Sequence, residues 1–345
     1  MQAFSTSVLI SADSHVIEPE DLWVRNLPAA FQAQAPMYPS HPFKHQDGGV
    51  NPEKRVGEMA VDGVSAEVLY PSLNMDQFGI KDAALQEACF RVYNDWLADW
   101  CSSAPDRLFG ISPVSLYNID NAVKEAHRAR KLGMRGLMIW QVPPDEFSFA
   151  TRHYEKFWAA AAELELPVSM HVNTGAPYAV GSADKWGRDL VQRLTKLVAV
   201  KSLHVQNTLI QIICSGVLAR HPKLNFVLVE NEMSWLPFFL WQLDRYYSRT
   251  GEFDNPGMTM LPSEYFQRQM YATFFNDPPS KFILGNWGTD NCMWSNDFPH
   301  KNSTWPNSRS VLDRDLGGLP GAVREKLVHG NVKRLYQLPD ILPVQ

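Results

Sequence analysis

Eight short apolar or β-branched runs, at 8–12, 66–70, 108–112, 136–140, 167–171, 225–230, 270–275 and 292–296, recur down the chain and constrain its fold more than any other feature. Between most of them the apolar residues recur at helical spacing, which predicts helices over 83–101, 119–132, 154–164, 200–220 and 236–247. Strand and helix in alternation imply parallel strands joined by crossovers, and eight such units close into a barrel. The competing doubly wound sheet calls for a glycine-rich phosphate turn after its first strand, and no GxGxxG stands there. The expected fold is therefore α/β, a (β/α)8 TIM-like barrel. Two intervals, 14–60 and 173–201, are too long for simple connections; they read as insertions in the loops after strands 1 and 5, covering the active end. With 45% hydrophobic and 20% charged residues in a chain of 345, one large core suffices, and 1–345 reads as a single domain.

The 32 Lys and Arg against 37 Asp and Glu give a net charge of -5, which argues against a nucleic acid or an anionic membrane as partner. No membrane span is expected, because the longest uncharged apolar stretch, 202–219, still contains His204, Gln206, Asn207 and Gln211. Cys89, Cys101, Cys214 and Cys292 are scattered without a CxxC pair, so neither a disulfide framework nor a cysteine zinc site is indicated. Residues 1–12 lack a basic, cleavable leader, and the expectation is a cytoplasmic protein. Its expected partner is a small organic molecule; a homo-oligomer stays open.

In a barrel of this kind the C-terminal strand ends share one mouth, so the residues there decide the chemistry. Strand one ends in Asp13-Ser14-His15, strand five in Met170-His171-Val172, strand six in Val229-Glu230-Asn231 and strand eight in Asn296-Asp297-Phe298. The other four ends carry neither carboxylate nor imidazole. Asp13 and His15 are two apart, so on an extended strand they face the same way and can bind one ion together. Two imidazoles with carboxylates and no thiolate suit a divalent transition ion, Zn, Mn or Fe; one ion is expected, with two as the alternative.

The chain resembles the amidohydrolase-related family within the amidohydrolase superfamily, the branch that also holds the metal-dependent nonoxidative decarboxylases. The resemblance is carried by the segments at 13–19, 62–71 and 167–171, by His221-Pro222-Lys223-Leu224 leading to Glu230, by 295–300 and by 330–336. It implies metal ligands at Asp13, His15, His171 and Asp297. Many relatives have His at the first of these positions. At strand six decarboxylase relatives also place a His, whereas this chain has Glu230, which counts against decarboxylation and leaves Glu230 as ligand, second-metal ligand or water-orienting group.

The function expected first is metal-dependent hydrolysis: a metal-activated water attacks an acyl bond (amide, ester, lactone or thioester) of a small aromatic or apolar substrate, with Asp297 as proton shuttle. The alternative is nonoxidative decarboxylation of an aromatic acid, in which Asp297 protonates the ring and Arg25 or Arg55 holds the carboxylate. Glu230 and His204 are the remaining catalytic candidates. His300, three residues past Asp297, is expected to orient that carboxylate or a substrate oxygen. Trp140, Phe275, Trp294 and Trp305 are expected to line the substrate pocket. His41 and His45 are loop histidines within reach of the mouth, and Glu18 is expected to cap local amides or pair with an arginine.

Overall fold

Each of the eight runs becomes a strand: β1 (Ile10–His15), β2 (Ala66–Tyr70), β3 (Leu108–Pro113), β4 (Gly136–Ile139), β5 (Val168–His171), β6 (Phe226–Val229), β7 (Met270–Phe274) and β8 (Cys292–Trp294). They form one parallel sheet in sequential order with helices between them, the (β/α)8 barrel expected. The computed structural model describes residues 4, 7–38, 47–175, 189–250 and 255–344. His41 and His45 lie outside them.

No ladder links β8 to β1; side chains and loop amides close that seam instead. Asn296 Oδ1 accepts from Ser11 Oγ (3.0 Å) and Ser14 Oγ (2.7 Å), while the His15 amide donates to the Phe298 carbonyl and the Asp297 amide to that of Asp13. Behind it Arg55, fully buried, donates from Nε to Glu67 (2.5 Å) and from Nη1 to the His15 carbonyl (2.8 Å), and its guanidinium lies over the Phe298 ring at 4.4 Å. A buried guanidinium with Nε and Nη1 committed in this way holds the strand that carries the ligands. Arg55 is therefore not a free cation for a substrate carboxylate, and Arg25 is exposed and paired with Asp21. Those two expectations are corrected.

The connections follow local chemistry. In the first long interval Asn51 caps Pro52–Asp62, its side chain accepting from the amides of Glu53 and Lys54, and Gly63 at φ 72 closes the helix. That helix was not expected. The helix expected over 200–220 is instead a longer, broken run: Leu190–Ala199, a π-helical turn Val200–His204, then Val205–Cys214, with Gly216 at φ 75 separating a last turn, Val217–Arg220. The stretch Leu190–Cys214 is long and apolar enough by length and composition to cross a membrane. Its second half docks on the barrel instead, burying Val205, Leu209, Ile212 and Ile213, whereas Leu190–Ala199 buries no side chain.

Candidate metal centre

The register of β1 sets the site. It pairs regularly with β2 at Ile10 and Ser11, then shifts between Ser11 and Ser14 before pairing again at Ser14 and His15. Such a bulge re-aims side chains where a strand meets a functional site. Asp13, His15 and His171 are completely buried, with ligand atoms all within 4.8 Å of one another. His15 Nε2 lies 3.5 Å from both Asp13 Oδ1 and Asp297 Oδ1, and His171 Nε2 lies 3.6 Å from Asp13 Oδ1. Each ring has its other nitrogen committed: His15 Nδ1 donates to the Pro71 carbonyl (2.8 Å) and His171 Nδ1 to that of Val172 (2.9 Å). Those bonds fix the tautomer and leave both Nε2 lone pairs aimed inward.

The cluster fits a divalent ion. Asp13 Oδ1 and Oδ2, His15 Nε2 and His171 Nε2 are buried with no hydrogen-bond partner among the described residues, a costly state for four polar atoms unless something binds them. Two ligand atoms about 2.1 Å from one ion at a tetrahedral angle stand about 3.4 Å apart, which matches the spacings found. Burial, reinforced by His300 and His171, holds the His15 pKa well below its ordinary value, so its imidazole is neutral, as a ligand requires.

Asp297 bridges to a second group. Its backbone is left-handed (φ 55), as is that of Glu230 (φ 59), a conformation that costs a non-glycine residue about 1–3 kcal/mol and concentrates at functional sites. His15, Glu230, Asp297 and His300 also bring ligand atoms within 4.8 Å of one another. His300 Nδ1 is 2.8 Å from Asp297 Oδ1, and the His300 ring lies over that of His15 with centroids 4.0 Å apart. Burial raises the pKa of Asp297, and the Glu230 and Asp13 carboxylates add to this against the pull of His300. For His300 itself burial opposes the charge, but Asp297 and Glu230 prevail and raise its pKa. Burial alone would raise Glu230 as well; Lys201, His171 and His300 together lower it.

Lys201, which sequence reasoning missed, places Nζ 3.0 Å from Glu230 Oε1 and 3.8 Å from Glu232 Oε1. A signal was present: it is the only Asp, Glu, Lys or Arg between Lys196 and Arg220. His204, from the same π-helical turn, belongs to neither cluster of ligand atoms. Glu18 is buried and accepts from the amides of Leu73 (2.9 Å) and Asn74 (3.0 Å), a capping role.

The aromatic candidates divide. Phe275 lies beside Lys201, with Nζ 5.5 Å from its ring centroid. Trp140 is packed among Tyr117 and Phe147, centroids 5.1 and 6.1 Å away. Trp294 shares a small outer cavity with Val311, Leu312 and Leu316. Trp305 stacks edgewise on Phe298 and donates from Nε1 to the Glu58 carbonyl. Phe275 lines the same cavity as Trp294, so Trp294 and Phe275 lie together between the barrel and the helix Ser308–Leu316, while Trp140 and Trp305 have their rings engaged in packing.

A model of the Amidohydrolase family matches residues 40–338, and the chain belongs to that family of enzymes. Among curated relatives it is 24% identical over 306 residues to a gamma-resorcylate decarboxylase of Rhizobium sp. (strain MTP-10005), a match that covers 81% of this chain and 85% of the relative. Among solved structures it resembles the amidohydrolase map2389c from Mycobacterium avium subsp. paratuberculosis K-10, with a TM-score of 0.78 at 18% identity, covering 96% of this chain and 99% of that one. It also resembles a dihydroxybenzoic acid decarboxylase from Polaromonas sp. JS666, solved with bound manganese and the inhibitor 2-nitroresorcinol, with a TM-score of 0.71 at 17% identity and coverage of 96% and 97%. Decarboxylases among the relatives overturn the hydrolysis expected from the sequence. At strand six, Glu230, the residue that counted against decarboxylation, is paired with the Lys201 ammonium at 3.0 Å.

Proposed function

We propose that this chain is a metal-dependent nonoxidative decarboxylase of a small hydroxylated aromatic acid. The observation that carries the reading is the buried set of Asp13 oxygens and His15 and His171 Nε2 atoms, without hydrogen-bond partners among the described residues and beside Asp297, in a chain whose curated relatives include decarboxylases. These four residues would hold one divalent ion, and manganese is the first choice because it occupies the Polaromonas structure. When bound, the ion supplies a Lewis acid for the substrate carboxylate and a neighbouring phenolic oxygen.

The residues of the chain handle the proton. Asp297, placed between His15 of the ligand set and His300, delivers a proton to the ring carbon bearing the carboxylate. The bond from that carbon to the carboxylate then breaks, carbon dioxide leaves, and the bonding electrons return to the ring. His300, 2.8 Å from Asp297 and partly exposed, returns the proton. Phe275 offers an apolar wall at the same mouth. The test is to incubate manganese-loaded protein with a panel of mono- and dihydroxybenzoic acids and measure carbon dioxide and the decarboxylated phenol. Equimolar release of both supports the reading. Their absence across the panel, with turnover of an ester or amide instead, would overturn it.

A further inference from the structure

The mouth holds more negative charge than one ion accounts for. Besides Asp13 and Asp297 it contains Glu230, whose carboxylate lies within ligand distance of His15, Asp297 and His300, and next to it Glu232. His15 belongs to both clusters of ligand atoms, so the two sets of ligand atoms abut, and its one free lone pair on Nε2 can serve only one ion. In the first set Asp13 Oδ1 and Oδ2, His15 Nε2 and His171 Nε2 have no hydrogen-bond partner among the described residues. The second set differs, because its Glu230 carboxylate already pairs with the Lys201 ammonium, 3.0 Å away, which also lies 3.8 Å from Glu232.

Lys201 reaches it through an unusual piece of backbone. The turn Val200–His204 is π-helical, a widening that often marks functional positions, between an exposed helix and one docked on the barrel. No other Asp, Glu, Lys or Arg lies between Lys196 and Arg220. The Lys201 ammonium faces two of the four carboxylates at the mouth, Glu230 and Glu232. A second divalent ion at Glu230 would have to compete with that ammonium for the carboxylate and bring two cations together in a buried place.

We propose that Lys201 is a built-in cation: its ammonium fills the position a second divalent ion would take beside Glu230, so that the centre binds one ion and Glu230 is held in place as a positioned carboxylate. The assignment rests on the metal reading above. Its test is manganese stoichiometry. Wild type, Lys201→Met, Lys201→Arg and the double variant Lys201→Met/Glu230→Gln are equilibrated with excess Mn2+, desalted, and measured by elemental analysis and by electron paramagnetic resonance.

Wild type and Lys201→Arg should carry one ion per chain. Lys201→Met should carry two, with the exchange-coupled signal of a manganese pair, and the double variant should return to one. The first ion also reports that the mouth is intact in every variant. A Lys201→Met protein holding a single uncoupled ion, or a wild type holding two, would overturn the assignment while leaving the metal centre standing. A wild type that binds none would remove both.

Discussion

Two groups of acids face the same mouth and are treated in opposite ways. On the β1/β5 side, Asp13 stands with the imidazoles of His15 and His171, and its oxygens have no hydrogen-bond partner among the described residues. On the β6/β7 side the carboxylates are provided for within the chain. Lys201 pairs with Glu230 and Glu232, and Asp277 accepts from the amides of Met233 (2.9 Å) and Ser234 (2.8 Å). Buried charge has to be compensated, and the place where the chain supplies no compensation is the place an external cation belongs.

The most severe way to break that contrast is to remove a ligand from the uncompensated side. His171→Ala should lower manganese affinity by more than the roughly 10–100-fold that loss of a supporting partner costs, and abolish turnover with it. Elemental analysis together with an activity assay checks this; stoichiometric metal and normal activity would show that His171 is not a ligand. Asp297→Asn comes next, since it keeps the shape and removes the proton. Turnover should fall by roughly 10²–10⁴-fold with the barrel intact. A fully metallated Asn variant with near-normal turnover would take Asp297 out of the proton transfer.

Much of the uncompensated side was legible in the sequence, because Asp13, His15, His171 and Asp297 sit at strand ends and a barrel brings strand ends together whatever the loops do. The position of β1 was less so. The apolar criterion placed it at 8–12, yet it runs to His15, since the Asp and His that end it are buried at the mouth rather than exposed. The compensated side was hidden. Lys201 meets Glu230 across 29 residues through a π-helical turn that no periodicity announces, and Arg55 finds Glu67 only because a helix and β2 fold together. The reaction type was hidden for a related reason: the ligand residues specify an ion, and the same ion can polarise the substrate of either reaction.

The smallest expected effect sharpens the compensated side. Burial, with help from Asp277 and Glu230 and against Lys201, raises the Glu232 pKa from 4.5 to about 7. A carboxyl whose pKa is raised on folding contributes stability that is complete below about pH 4.5 and is lost as pH climbs through about 7. Glu232→Gln mimics the protonated form and lacks this slope. Its Tm relative to wild type should therefore rise by on the order of 2–4 °C between pH 5 and pH 8. Parallel Tm profiles would show that Lys201 alone balances both carboxylates across that range.

The contrast is tested most directly by anomalous diffraction from wild-type crystals equilibrated with Mn2+. One manganese peak enclosed by Asp13, His15, His171 and Asp297, with none between Glu230 and Glu232 and Lys201 still on Glu230, is the result expected. A peak beside Glu230 with the first position empty would contradict the account.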